Sequence, residues 1–413
     1  MPSSPAEALA EAEKKGNSAG GKLYRPSSAS RNAGGEEPSL FDEDGGKLRA
    51  MKINLHLSPS SRRCGTRSRR QTSSPGLLNF FNVLISKKKA STLHFVREQK
   101  GDIMAVKVKF KISETYMGFD NLLMNAAGTC KKIDEVKELA RAPTAAVVVG
   151  SITIEQRSGN EGEVFCPFPG LYTLNSLGLP NPGAPYYWQN IPEMVEIAHK
   201  AGKPLFVSVA GFTPSEYAVL AKLVLGRGAD LVELNLGCPN IWQGNQQKRI
   251  ASFDPELVRA ILQCVQEEIG PEANVAVKLS PFSDPFALGE VAKVIGQSRL
   301  VKVVTASNTF PNALVLDGRG KPRITPGGGL AGLGGPAMKP INLGQVRQLR
   351  SLLPERIHII GVGGIERGGD VFDYEKVGVA AVQIATILFE RGPRVFEDLL
   401  IQLMQARDIA YGV

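Results

Sequence analysis

Paired sulfur is what this chain most obviously lacks. Its five cysteines, Cys64, Cys130, Cys166, Cys238 and Cys264, are odd in number, widely scattered and nowhere spaced Cys-x-x-Cys. That pattern excludes a disulfide framework, a zinc site and an iron-sulfur cluster, and it fits a reducing compartment. Histidine is scarce too: His56, His94, His199 and His358 are the only four, and no two share a motif. Neither a histidine-based mechanism nor a metal centre can be built from them, so no metal is expected. Long apolar runs are missing as well. The longest, residues 77–85, is far short of the roughly 20 residues that cross a bilayer, so no transmembrane helix is expected and the protein is read as cytoplasmic.

The formal charge of +9 is unevenly spread over the 413 residues. Residues 1–103 hold 18 Lys and Arg against 10 Asp and Glu, leaving 31 against 30 in the rest. The basic balance therefore belongs to the leader, and it argues for no nucleic-acid partner of the body. That leader is rich in Ser, Gly, Pro and charge without an apolar period, so residues 1–103 are expected to form a disordered extension. Its first residues include Glu7, Glu11 and Glu13, acidic where transit peptides avoid acid. The alternating stretch from Met104 onward reads as a strand with one wet face, and residues 104–413 as the folded body.

Within the body, apolar β-branched runs recur at 122–125, 145–149, 204–210, 231–236, 275–279, 301–306, 357–361 and 380–385. Between them lie amphipathic helical segments at 134–141, 191–201, 215–225, 255–268, 288–295 and 343–352. Eight near-continuous apolar strands alternating with helices predict an α/β fold, a parallel (β/α)₈ TIM barrel, with a doubly wound sheet as the alternative. In such a barrel chemistry gathers at the C-terminal strand ends. The polar residues here fall there: Asn125, Gly150 and Ser151, Asn235 with Cys238 and Asn240, Lys278, and Ser307-Asn308-Thr309.

Cys238 stands out among them, in Glu233-Leu234-Asn235-Leu236-Gly237-Cys238-Pro239-Asn240. A free cysteine is most often a small buried hydrophobe, but a thiol between two carboxamides at a strand end is placed for proton chemistry on a polar, planar substrate. Lys278 ends its strand inside a barrel mouth, where an unpaired ammonium is costly and so points to a function. The glycines after the seventh run, Gly361-Val362-Gly363-Gly364, can expose bare N–H groups to a phosphate. The stretch 326–335 is either a flexible linker or a loop over the site.

Taken together, Met124-Asn125-Ala126-Ala127-Gly128, Asn175-Ser176-Leu177-Gly178-Leu179-Pro180-Asn181, the Cys238 motif, Val277-Lys278-Leu279, Gly332-Leu333-Gly334-Gly335 and Ile360-Gly361-Val362-Gly363-Gly364-Ile365 resemble the class-one dihydroorotate dehydrogenases. The resemblance covers about residues 105–410. Membrane-bound relatives carry Ser in place of Cys238, so the thiol points to the soluble class, and the wording of residues 175–181 looks like its fumarate-reducing, homodimeric branch.

The resemblance implies an FMN-dependent oxidation of dihydroorotate to orotate in pyrimidine (UMP) biosynthesis, with fumarate as acceptor. Cys238 would be the general base, its thiolate available near neutral pH through surrounding dipoles, and Lys278 would face the flavin. Asn175, Ser176, Leu177, Gly178, Leu179, Asn235, Asn240, Asn308 and Thr309 would hold the substrate. FMN would rest on Ala127, Gly150, Ser151, Asn235, Lys278, Ser307, Gly335, Gly363, Gly364, Ala385 and Thr386, with its phosphate at the last four. One departure matters: the family carries a lysine where this chain has Gly150, so a cation is missing beside an anionic substrate. The alternative implied is a flavin oxidoreductase for a neutral dihydropyrimidine or enone. Arg157 is the nearest candidate to compensate. Ala385, Trp242 and Phe310-Pro311 are bulkier than the family's usual residues.

Overall fold

The computed structural model describes residues 95–100, 103–112, 115–119, 121–243 and 246–411. The chain opens with three antiparallel strands, β1 (Phe95–Lys100), β2 (Ile103–Ile112) and β3 (Thr115–Phe119). The expected boundary at Met104 thus falls inside β2, and Phe95–Lys100, assigned above to the extension, is the strand that pairs with it. The remainder of the expected extension, residues 1–94, lies outside the described residues.

Eight parallel strands form the core: β4 (Leu123–Asn125), β5 (Val147–Ile152), β8 (Leu205–Val209), β9 (Leu231–Asn235), β12 (Val275–Leu279), β13 (Val301–Ala306), β16 (His358–Val362) and β17 (Ala381–Ile384). Strands β12 and β13 match the expected runs to the residue, because both are mostly apolar, β-branched sequence that the barrel buries almost throughout, with Lys278 near the end of β12 and Lys302 and Thr305 in β13 as the polar exceptions. Helices alternate with the strands: α1 (Ile133–Arg141), α2 (Ala184–Lys200), α3 (Pro214–Gly226), α4 (Pro255–Ile269), α5 (Pro285–Gln297), α6 (Lys339–Leu352), α7 (Gly368–Lys376), α8 (Thr386–Arg391) and α9 (Val395–Tyr411). Three of them start on one device, a polar cap followed by proline. Thr213, Asp254 and Asp284 accept N–H groups of the first turn, and the prolines that follow need no donor there and already have a helical φ. These abrupt starts keep the loops after β8 and β12 short, whereas the longer connection after β9 carries the cysteine motif.

The architecture is therefore the expected (β/α)₈ barrel, with one irregular seam. No ladder pairs β4 with β5 among the described residues. The Asn125 carboxamide stands in for one: its Nδ2 donates to the Val148 carbonyl at 2.7 Å, and the Val148 N–H donates to its Oδ1 at 2.9 Å. The Ala145 N–H adds a bond to the Leu123 carbonyl at 2.6 Å. Asn125→Ala would orphan both groups of Val148 in a dry interior, and we expect it to cost about 2–4 kcal/mol, read as a lower midpoint in urea.

A second sheet, absent from the sequence reading, covers the mouth. Its strands β6 (Phe165–Phe168), β7 (Tyr172–Asn175), β14 (Phe310–Ala313) and β15 (Ala331–Gly334) run in the order β14-β15-β7-β6. The glycine-rich stretch that could have been a linker supplies β15, paired with both β7 and β14. A short hairpin, β10 (Trp242–Gln243) and β11 (Gln246–Gln247), follows the cysteine motif.

Candidate active site

The parallel register sets Lys278 level with Asn235 on one neighbour and Thr305 on the other. Around them the strand ends are joined by side chains. Asn235 Nδ2 donates to Ser151 Oγ at 2.9 Å, and Ser151 Oγ lies 2.9 Å from Ser208 Oγ. Asn308 Nδ2 donates to Asn235 Oδ1 at 3.1 Å, and the Thr309 N–H donates to Asn308 Oδ1 at 2.8 Å. The buried hydroxyl of Tyr217 donates to the Asn235 carbonyl at 2.8 Å. Four different strand ends are thus locked into one polar floor.

Lys278 belongs to that floor and differs from it. It is 5% exposed, yet its ammonium has no hydrogen bond or ion pair among the described residues, and Glu233, the buried carboxylate inside the barrel, engages Thr305 and Gln383 instead. An unpaired buried cation is costly, so it calls for an anion or an electron-rich group as its partner.

The second carboxamide cluster hangs from the covering sheet. Asn240 Nδ2 donates to Asn175 Oδ1 at 2.7 Å, and Asn175 Nδ2 donates to the Gly332 carbonyl at 3.1 Å. Asn240 is buried and its Oδ1 has no partner. Asn160 ties the group together, donating to the carbonyls of Ser176 at 2.8 Å and Asn240 at 3.1 Å. Ser176 Oγ accepts the Trp242 indole N–H at 3.2 Å, so Ser176 is committed to the scaffold. The rest of the motif is shaped by backbone: the Leu177 carbonyl accepts the Asn160 N–H, Gly178 accepts the Arg157 side chain, and Leu179 holds a left-handed φ of 59°.

A cleft lies beside this floor and is lined by Ser307, Asn308, Thr309, Gly335, Gly363, Gly364, Ala385 and Thr386 among others. It therefore unites six of the expected cofactor positions with two of the expected substrate positions. The N–H groups of Gly363, Gly364, Ala385 and Thr386 donate to no protein acceptor among the described residues. At Gly363 (φ 110°) a Cβ would sit 2.1 Å from Asn342 Nδ2, and at Gly364 (φ 72°) 2.3 Å from the Lys339 backbone nitrogen, so only glycine fits either place. Asn342, which the sequence reading missed, is 1% exposed. Its Oδ1 accepts from Ser307 Oγ at 2.5 Å while its Nδ2 has no partner. Lys339 is already spoken for by Asp370 and Asp373. Free N–H groups and an orphaned amide donor suit an oxyanion, so the residues present fit the phosphate of FMN, and the partnerless Lys278 fits its electron-accepting ring. A larger cavity, lined by Lys222, Asp230, Glu268, Glu272 and Asn274, lies at the opposite end of the strands and shares none of these residues. Among the described residues no group of three His, Cys, Asp or Glu is placed to hold a metal ion.

Cys238 is half-buried at the end of this assembly. Burial pushes its thiol up from the ordinary value; the Asn240 N–H and then the cations Lys248, Arg157 and Lys278 pull it back without winning. The expectation of a thiolate near neutral pH from local dipoles is corrected accordingly: desolvation dominates, and the rest thiol stays protonated.

Ala127 sits beyond β4, half-buried. Gly150 is enclosed, its N–H on the Cys130 carbonyl at 2.9 Å and its carbonyl accepting from the Gly128 N–H. With φ at 106° and a Cβ that would lie 2.3 Å from the Ser208 carbonyl oxygen, this backbone has no room for the family's lysine. Gly150→Lys is expected to destabilise the fold by about 1–3 kcal/mol, detectable as a lower melting temperature, instead of simply restoring a cation.

Comparison with known proteins agrees with this geometry. Residues 109–406 match the family described as dihydroorotate dehydrogenase. The chain is 36% identical over 291 residues to the "Probable dihydroorotate dehydrogenase A (fumarate)" of Enterococcus faecalis, covering 69% of this chain and 89% of that one. It is 32% identical over 294 residues to "Dihydroorotate dehydrogenase A (fumarate)" of Lactococcus lactis, covering 70% and 91%. In fold it is similar to a DHODH crystallised with ferulenol from Eimeria tenella, with a TM-score of 0.61, 19% identity, and 73% and 85% of the two chains covered.

Proposed function

From the premise that this chain belongs to the dihydroorotate dehydrogenase family, we propose that it is an FMN-dependent enzyme oxidising dihydroorotate to orotate in pyrimidine biosynthesis, with fumarate as acceptor. The observation that carries the reading is Lys278, a buried ammonium with no partner among the described residues, together with a cleft whose free N–H groups suit a phosphate.

Bound FMN would supply a two-electron acceptor for the hydride that leaves the substrate. The chain's residues do the remainder. Cys238 Sγ accepts the proton lost from the neighbouring carbon, a transfer that a positioned base accelerates by about 10²–10⁴-fold. Asn175, Asn235, Asn240 and Asn308 face the ring's alternating N–H and C=O groups with donors and acceptors of their own, and the orphaned Asn240 Oδ1 is an acceptor available to a ring N–H. Lys278 stabilises negative charge that develops before it. Gly363, Gly364, Ala385 and Thr386 would hold the phosphate, with Asn342 behind them. No described helix is long and apolar enough to cross a membrane, which is compatible with a cytoplasmic protein, and the fumarate-type relatives support a homodimer as the assembly to look for.

Gly150 supports a second reading. Because the backbone there excludes a lysine, the cation expected beside the substrate carboxylate is missing, and a neutral dihydropyrimidine or an enone would suit the same floor. One anaerobic titration separates the two. Bleaching of the flavin band by dihydroorotate at micromolar concentration supports the first; bleaching by dihydrouracil alone supports the second; a colourless protein that binds no added FMN removes both.

A further inference from the structure

The loop that follows the cysteine motif places a lysine where the motifs above assign nothing. After the β10–β11 hairpin the Lys248 N–H donates to the Ile241 carbonyl at 2.8 Å, closing the loop on itself, and Gln247 Nε2 donates to the Pro239 carbonyl at 2.6 Å, next to Cys238. The Lys248 side chain then crosses to the loop after β8. Its Nζ lies 4.1 Å from the centroid of the Phe212 ring and donates to the Gly211 carbonyl at 3.0 Å. An ammonium over an aromatic face and on a carbonyl is held by two attractions that survive partial burial.

Phe212 is shared. The Arg157 guanidinium carbon lies 5.2 Å from the same ring centroid, while Arg157 Nε donates to the Gly178 carbonyl at 2.9 Å. One aromatic ring thus gathers two cations from two loops, and Glu216, which accepts the Phe212 N–H at 2.7 Å, is the carboxylate nearest to balance them. Lys248 is the foremost of the cations that favour a charged Cys238, ahead of Arg157 and Lys278. Burial lowers Lys248 itself from its ordinary value and Glu216 opposes that. Tyr217, the other titratable neighbour of the thiol, is driven upward by burial and stays neutral.

We propose that Lys248, seated on Phe212 and Gly211, is a positioning residue for Cys238: it holds the base-bearing loop shut and supplies the positive charge against which the thiolate forms. Its role rests on the reading of Cys238 as base, yet it concerns the thiol alone and can be tested without substrate. Its charge is placed near the base, on the loop after β8, and so does not replace the cation missing at Gly150 on the neighbouring strand β5.

The experiment is the pH dependence of Cys238 alkylation by iodoacetamide on the full chain as purified, followed on the Cys238 peptide by mass spectrometry so that the other cysteines do not contribute. Lys248→Gln is expected to move the midpoint upward and slow alkylation at pH 8 by about 3- to 10-fold, equivalent to roughly half to one pH unit. Lys248→Arg keeps the charge and is expected to bring the midpoint back toward wild type. Phe212→Leu, which leaves Lys248 in place but removes its seat, is expected to shift the midpoint the same way, and it serves as the second variant if Lys248→Gln fails to fold. An unmoved midpoint in a folded Lys248→Gln or Phe212→Leu protein overturns the proposal, as does a Lys248→Arg protein that behaves like Lys248→Gln. A shifted midpoint in a protein that ignores dihydroorotate upholds the role of Lys248 and rejects the substrate.

Discussion

Cys238→Ala lowers the rate of flavin bleaching by dihydroorotate by about 10²–10⁴-fold, the usual worth of a positioned proton acceptor. Flavin content and melting temperature should stay close to wild type, because a half-buried thiol carries little of the core. The pH profile gives a second check with a definite sign. Only the deprotonated thiol accepts a proton, and burial raises its pKa. The wild-type rate should therefore climb with pH across the neutral range and still be rising at pH 8. Cys238→Ser, with a less acidic hydroxyl, should displace that climb to higher pH. A Cys238→Ala rate within about threefold of wild type at pH 8, far less than general-base loss produces, removes Cys238 as the base.

Lys278→Met separates stability from function. Lys278 is 5% exposed and its ammonium has no partner among the described residues, so replacing it with an apolar chain of similar length should relieve a desolvation cost of a few kcal/mol when no flavin is bound. The flavin-free variant is expected to melt no lower than flavin-free wild type. The loaded protein tells the opposite story: loss of preorganised positive charge should slow flavin reduction by about 10²–10³-fold and weaken flavin retention on a desalting column. A variant that is destabilised when flavin-free and binds flavin as tightly as wild type would contradict the role assigned to Lys278.

The barrel was legible because its strands obey one simple rule. Val275–Leu279 and Val301–Ala306 are short, predominantly apolar and β-branched segments, interrupted only by Lys278 in the first and by Lys302 and Thr305 in the second. The covering sheet was hidden for the converse reason. Phe165–Phe168 contains a proline, Phe310–Ala313 a proline and an asparagine, and Ala331–Gly334 two glycines, which read locally as turns. Helix α7 begins on Gly368-Gly369, again a turn signal, although Gly368 is buried against α9.

The site divides in the same way. Residues carried by compact motifs, such as Asn235, Cys238 and Lys278, could be picked out along the chain. Asn342, Ser208, Thr173, Asn160 and Lys248 could not, since each acts through a partner brought in by the barrel. Thr173 lies 3.5 Å from Thr386, 213 residues away in sequence. Asn342 had a faint signal: a carboxamide on the buried side of an amphipathic helix, where an apolar residue is the norm. The activation of Cys238 was misjudged because local dipoles can be read from a motif, whereas desolvation depends on everything folded over it.

Tryptophan 242 has a use beyond its hydrogen bond to Ser176. A Cβ at Gly327 would lie 2.3 Å from its indole, so the ring, carried by the segment that bears the thiol, packs against the glycine-rich stretch leading to β15. Trp188, the other indole of the chain, sits on α2 beneath the Arg227 guanidinium. The enzyme thereby carries a built-in optical gauge: parting of those two segments would alter the emission of one fluorophore while the second serves as an internal standard.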